Sequence, residues 1–326
     1  MTLTVSVVIP AFNAEGFIVE ALDSVAGQIR LPEAVVVVDD GSDDGTAAVI
    51  EAWSRAHPDL PITLLRTTPN RGLSSARNRA IAASHTDCIA TLDADDAFEP
   101  DHLDRLMVPL ETDPEVVVAF GDTLEFSANG PAAETLLSRV GGRFQALPSE
   151  DRGVYRLLGG SVFQSLLPGS YIPVSAMVFR RQTAITAGLY DPGLRRVEDR
   201  DFILRMARAG RFAFMPVIAC RKRIHQNNIS GPKFHLDMAE GGFGVLLRAR
   251  TWLRDGSPAE QQAVEQELER AGEGLLYSAS ITGLRALARA SIELRRAGLS
   301  RLAFQPRAWL RAVWYAASRR LGLADD

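Results

Sequence analysis

Ala34-Val35-Val36-Val37-Val38-Asp39-Asp40-Gly41-Ser42 reads as a short buried strand that ends in two carboxylates. The pattern returns downstream, where Cys88-Ile89-Ala90-Thr91-Leu92 runs into Asp93-Ala94-Asp95-Asp96. Before both lies a β-branched run over 3–9, expected to stop at Pro10. Helical spacing separates the strands. Phe17, Ile18, Ala21, Leu22 and Val25 fall on one face of a helix expected over 14–26. Asp43 or Asp44 can cap a second helix reaching Ser54. A strand over 62–65 and a helix from Ser74 or Ser75 to Ala83 follow. Glu99-Pro100-Asp101 opens another helix. Strands are expected at 116–120, 123–126 and 174–179, and a helix at 200–209. Such alternation predicts an α/β fold, a mostly parallel sheet flanked by helices. Ligands of open sheets of this kind sit at the carboxyl ends of the strands.

The 326 residues suffice for one large α/β domain and a smaller appendage. Residues 127–170 break the rhythm and are rich in Gly, Ser and Pro, as a functional insert would be. From about 241 the strand signals stop. Helices are expected at 243–254, 259–278, 281–297 and 306–320. The expected division is therefore a catalytic region over 1–240 and a helical region over 241–326. The uncharged stretch from Leu157 to Phe179 is long enough to suggest a membrane span. Gly159, Gly160, Pro168, Gly169 and Pro173 punctuate it, and a loop leading into a strand fits better. No secretory leader is read at the start, and the two cysteines form no zinc or disulfide framework.

A net charge of -4 predicts no general affinity for nucleic acid. Its distribution is uneven. Between Arg285 and Arg320 there are nine arginines and one acid, Glu293. In the helix over 281–297, Arg285, Arg289 and Arg296 share a face opposite Leu287 and Leu294. This suits either a solvated helical face or peripheral contact with an anionic membrane.

The glycine-rich dinucleotide fingerprint and the Walker sequence are both absent, so a nucleotide must be held in another way. Asp93 and Asp95, one residue apart at a strand end, can approach one hard cation, and Mg²⁺ and Mn²⁺ prefer oxygen ligands and substrate phosphates. Glu198-Asp199-Arg200-Asp201 supplies a third acidic cluster at a helix start. Asp199 suits either an N-cap or a general base.

Four ordered segments carry a specific likeness. Val5–Asn13, Val36–Thr46, Asn70–Asn78 and Leu92–Asp96 together resemble the family 2 inverting glycosyltransferases of the GT-A fold. Glu198-Asp199 fits that family's later acidic motif, and Arg223-Ile224-His225 with Asn228-Ile229-Ser230 resembles its closing signature. The likeness covers roughly residues 3–235. It implies a metal-dependent transfer of a sugar from a nucleotide diphosphate, most often UDP, to an acceptor hydroxyl. Polysaccharide or glycolipid synthesis in the cytoplasm, at the inner face of the membrane, is the implied setting, with a glycan or lipid-linked acceptor.

The resemblance also implies roles. Pro10, Ala11 and Phe12 would line the base, with Phe12 stacking on it. Asp40 would accept a hydrogen bond from the base, and Asp39 would support that loop or the ribose. Arg77 would approach the base or phosphates. Asp95 would bind Mn²⁺ or Mg²⁺, with Asp93 on the ribose or a metal-bound water and Asp96 near the donor sugar. His225 would touch the metal or diphosphate. Asp199 would be the general base, oriented by Glu198. Two rivals remain beside this reading, a catalytically silent binding subunit and a sugar-nucleotide pyrophosphorylase. The second needs a glycine-rich basic loop where Pro10-Ala-Phe-Asn13 stands.

Overall fold

The computed structural model describes residues 2–140, 142–194, 196–225, 234–253 and 256–320. The chain divides into two compact units, Met1–Leu166 with Ser170–His225, and Leu167–Gly169 with Gln226–Asp326.

The first unit is built on an 11-stranded mixed sheet. Its strands are β1 (Val5–Ala11), β2 (Ala34–Asp39), β3 (Ile62–Arg66), β4 (Cys88–Thr91), β5 (Ala97–Phe98), β6 (Val116–Ser127), β7 (Gly130–Pro131), β8 (Ser149–Asp151), β9 (Arg156–Leu158), β10 (Met177–Arg180) and β11 (Arg211–Arg223). They lie in the order β3-β2-β1-β4-β10-β6-β11-β9-β8, with β5 on β11 and β7 on β6. The first four form a parallel block, and β11 runs parallel to β6. Val5, Val7, Ile9, Val35 and Val37 face a core shared with helices Ile18–Ala26, Thr46–Ala56 and His102–Thr112. Val8, Val36 and Val38 are equally buried on the opposite face, where the helix Leu73–Ala83 packs on β1 and β2. Burial of both faces explains why these strands read as continuous apolar runs.

Four expectations change. β1 continues through Pro10 to Ala11. The Ala11 carbonyl accepts from Asp40 N–H on the β2 side, so the nitrogen of Pro10 faces β4. There the ladder has already ended at Val8–Thr91, and the missing N–H costs no strand bond. The strands expected at 116–120 and 123–126 are one strand, Val116–Ser127. A Cβ on Gly121 would lie 2.6 Å from the Ala219 Cβ, so glycine lets β11 approach. β11 itself was not anticipated, because Pro216 interrupts its pattern. That proline is exposed in the irregularity between Phe214 and Ile218. The insert over 127–170 is also more regular than expected, since β8 and β9 form the sheet's far edge.

The second unit is helical among its described residues: His235–Trp252, Pro258–Thr282, Leu284–Arg296, Ser300–Ala303 and Pro306–Arg320. Ser257 and Glu260 form a capping box at the start of the longest helix. Leu246, Val264, Leu268, Leu275, Leu287 and Leu294 are buried. Among the described residues no helix is long and apolar enough to cross a membrane.

One buried histidine gives the first unit an acid-sensitive joint. His102 Nδ1 lies 2.8 Å from the Ala219 carbonyl, and its ring stacks on Phe98 at 3.7 Å. Burial pushes its pKa from 6.5 down to about 4. The unfolded chain therefore binds a proton that the folded chain excludes. The contribution to stability is complete above pH 6.5 and is lost as pH falls through 4, to a limit of about 3 kcal/mol. Melting between pH 7 and 4.5 should show a shallower decline for His102→Phe than for the wild type. Parallel declines would mean that His102 does not carry the effect.

Candidate active site

The parallel block places the ends of β2, β1 and β4 side by side, with Ala11 opposite Asp39. Loops leaving β1 and β2 are then laced together. Asn13 N–H donates to Ser42 Oγ, Asp43 N–H to Asn13 Oδ1, Ala14 N–H to Thr46 Oγ1, and Gly45 N–H to Glu15 Oε2, all at 2.8–3.1 Å. Asn13 and Glu15 are thus ties between loops. Asp39 is buried and accepts from Ser42 N–H at 3.0 Å, so it supports the turn.

Asp40 is nearly fully buried, and its carboxylate gathers the next loop. Arg71 N–H donates to both oxygens at 3.0 Å, and Gly72 N–H to Oδ2 at 2.7 Å. Gly41 makes the turn at φ +80°, where a Cβ would meet Asn70 N at 2.9 Å. Beside Asp40 opens a cleft of about 450 Å³ lined also by Arg66, Arg71 and Arg79. Pro10 and Ala11 are buried at the end of β1, whereas Phe12 is 52% exposed.

Arg77 joins two acidic clusters that are far apart in sequence. It is 1% exposed. Nη2 donates to Asp93 Oδ1 at 2.6 Å and Nη1 to Glu198 Oε1 at 2.7 Å. Its guanidinium lies 5.2 Å from the Tyr190 ring centroid. Burial alone would favour deprotonation, but Asp93 and Glu198 outweigh it and hold the charge more firmly than usual. Burial pushes the Glu198 carboxyl above its ordinary range, against the pull of Arg77. Tyr190 is fixed by Asn78, whose side chain exchanges two hydrogen bonds with its backbone at 2.7 and 2.9 Å.

Asp93, Asp95 and Asp96 diverge because the chain turns, with Asp96 N–H donating to the Asp93 carbonyl. Asp95 Oδ2 lies 2.9 Å from His225 Nε2. Asp96 is buried, accepting from Ser175 Oγ at 2.7 Å and Arg223 N–H at 3.0 Å. Burial, then Asp93 and Asp95, push its carboxyl up to about 8. His225 stacks on Phe17. The signature residues Asn228–Ser230 lie outside the described residues.

In the third cluster, Glu198 is paired with Arg77. Asp201 is fully buried and paired with Arg205 at 2.6 Å. Asp199 is partly exposed, and its recorded bond is from Arg200 N–H at 2.7 Å. Among the described residues no cation pairs with it. Val197, just before, has φ 55°, an uncommon strain for a β-branched residue.

Among the described residues no three His, Cys, Asp or Glu side chains gather as a metal site. Asp95 and His225, in hydrogen-bond contact, are the pair that would hold a cation. Neighbouring ligands on an ion at about 2.1 Å stand about 3 Å apart, close to the Asp95–His225 separation. Oxygen and imidazole nitrogen both suit Mn²⁺. Asp93 Oδ1 is already held by Arg77.

The sequence model of "Glycosyl transferase family 2" matches residues 6–149, the segment holding the interlaced loops, Arg77 and the Asp93–Asp96 turn. Over these residues the chain is similar to that family. It is 40% identical over 103 residues to succinoglycan biosynthesis protein ExoO of Rhizobium meliloti, a stretch covering 32% of this chain and 28% of that protein. Its fold matches S. aureus TarS 1–349 in complex with UDP-GlcNAc, with a TM-score of 0.63 at 16% identity over 99% of this chain and 93% of that one. It also matches the mannosyltransferase PcManGT from Pyrobaculum calidifontis in complex with GDP-Man and Mn²⁺, with a TM-score of 0.62 at 20% identity over 98% and 87%. At such identities these structures establish the GT-A fold alone.

Sequence reasoning assigned no role to Ser175, Tyr190 or the backbone of Arg223. Arg223 lay inside a quoted motif. Ser175 and Tyr190 sit in no recognisable pattern and are found only by folding the chain. Removing the buried cation should expose the dependence on Arg77. Arg77→Met would leave Asp93 and Glu198 facing each other unpaired, at a cost of about 3–5 kcal/mol. Urea unfolding measures this, and a loss under about 1 kcal/mol would show that the carboxylates do not rely on it.

Proposed function

We propose that this enzyme is a metal-dependent inverting glycosyltransferase that moves a sugar from a UDP-sugar to an acceptor hydroxyl. The observation carrying the reading is the uneven neutralisation of the third acidic cluster. Glu198 and Asp201 each have an arginine, and Asp199 has none among the described residues. A hydroxyl is a weak nucleophile near neutral pH, and an unpaired carboxylate can take its proton during attack. Asp199 accepts that proton as the acceptor oxygen bonds to the anomeric carbon. The bond from that carbon to the diphosphate breaks, and the diphosphate leaves with the electron pair. Attack opposite the leaving group inverts the centre.

Other residues position the reactants. Asp40 has acceptor capacity beyond its three backbone bonds, which suits a base N–H, and Phe12 offers an exposed stacking face. Asp95 and His225 would hold Mn²⁺ or Mg²⁺, which when bound supplies charge to the departing diphosphate. Arg77 positions Glu198 and Asp93 without touching the reactants. UDP is favoured because TarS is described with UDP-GlcNAc, and an acceptor in surface polysaccharide or glycolipid synthesis suits the likeness to a succinoglycan biosynthesis protein. The proposed setting is the cytoplasm at the inner face of the membrane, where both cysteines, free and buried, stay reduced.

Asp199→Asn should retain UDP affinity and lose at least about 10²-fold in donor turnover. Turnover near the wild-type rate rules it out as base. Asp95→Ala should abolish the Mn²⁺-dependent part of UDP binding, read by thermal melting with Mn²⁺ or chelator. A metal-dependent shift equal to that of the wild type removes Asp95 from the site. At about 100 times its Kd, UDP should add about 2.7 kcal/mol to the wild type.

A further inference from the structure

The last helix has apolar residues on the wrong side. Ala308 and Ala312 are buried on its inner face, as expected. The outer face, which a water-facing helix makes polar, instead carries Trp309, Leu310, Val313 and Trp314. Leu310 is 70% exposed and Trp314 60%, and Phe304 in the preceding turn is 64% exposed. Phe304, Pro306, Trp309, Leu310 and Val313 line an apolar groove of about 500 Å³. Scattered exposed apolar residues are ordinary, but a contiguous aromatic patch marks an interaction surface.

The charges around this patch indicate its occupant. Arg295 lies 5.4 Å from the Phe304 ring centroid. Arg301 and Arg307 are exposed beside it in the chain, and Arg285, Arg289 and Arg296 are exposed on the helix Leu284–Arg296. The arginine-rich segment holds one acid and no lysine. Two copies of such a face would bring like charges together, which disfavours self-pairing. An anionic surface with an apolar interior matches both features. Tryptophan settles at the boundary of a bilayer, and arginine reaches phosphate headgroups while its stem stays among apolar groups. A helix of 15 residues rises about 22 Å, short of the hydrocarbon thickness, so it would lie in the interface.

We propose that Phe304 and the outer face of Pro306–Arg320 dock this enzyme on an anionic lipid bilayer, with the surrounding arginines on the headgroups. The proposal stands apart from the transfer reaction, because its test reads binding and not turnover. The test is flotation of the full chain with phosphatidylcholine vesicles and with vesicles containing 30% phosphatidylglycerol. The wild type should float with the anionic vesicles only, less so at high salt. The triple variant Trp309→Ser, Leu310→Ser, Trp314→Ser should lose at least about tenfold in bound fraction. Quenching of wild-type tryptophan fluorescence by lipids spin-labelled near the headgroup reads the same contact without a mutation. Wild-type protein that neither floats nor is quenched overturns the proposal. So does a wild-type dimer that the triple variant breaks, since the patch would then be a contact between copies.

Discussion

A guanidinium buried between Asp93 and Glu198 ties distant segments of the first unit to one another. Each of the three charges alone would be costly to remove from water. Together they make two short charge-assisted bonds, and the Tyr190 ring covers the cation. Deleting Arg77 strands two carboxylates, whereas deleting either acid leaves the cation paired with the other. The geometric consequence of the arrangement matters more than its energy. Asp93 follows β4, and Glu198 opens the helix Glu198–Met206, more than a hundred residues later. Both carboxylates lie within 2.7 Å of one side chain on the helix Leu73–Ala83. The turn bearing Asp95 and the helix start bearing Asp199 are thereby fixed to the same point.

Much of this fold is legible in the sequence because the parallel strands are buried on both faces. A continuous run such as Val35–Val38 needs no partner to be read. The acids that end those runs are legible too, since ligands of such sheets bind at the carboxyl ends of the strands. What escapes is whatever depends on contact between distant segments. β11 is hidden by Pro216, and only its irregular pairing with β6 shows why a proline is tolerated there. Ser175 looks like any loop serine, yet it donates to Asp96 and lies 3.1 Å from Asp93 N. Arg77 was foreseen at the site, but as a nucleotide contact. Its burial and double pairing tie Asp93 to Glu198, a contact that no local pattern encodes.

The same comparison explains why neighbouring acids receive different work. Along Asp93-Ala94-Asp95-Asp96 the backbone turns on itself, so successive side chains leave in different directions. Asp93 goes to Arg77, Asp95 to His225, and Asp96 inward to Ser175 and the Arg223 backbone. Along Glu198–Asp201 helical geometry does the sorting instead. Asp201 finds Arg205 one turn on, Glu198 reaches back to Arg77, and Asp199 lies between them without a cation among the described residues. A carboxylate oxygen engaged by an arginine is not free to turn toward an acceptor hydroxyl. In the proposed mechanism the arginines leave Asp199 as the base by occupying its neighbours.

The two ends of the chain solve opposite problems with the same side chain. In the first unit Arg77 is withdrawn from water, and its charge is spent on fixing protein to protein. In the helical unit Arg295, Arg301 and Arg307 stay at the surface, and among the described residues none has a carboxylate partner. Exposed cations beside an exposed aromatic patch are stable enough in water, but they gain nothing there from one another. Their mutual repulsion falls only when an anionic phase approaches, and the apolar face is covered in the same event. Charge and hydrophobicity would then act together, which neither a solvated helix nor a contact between two such faces can achieve.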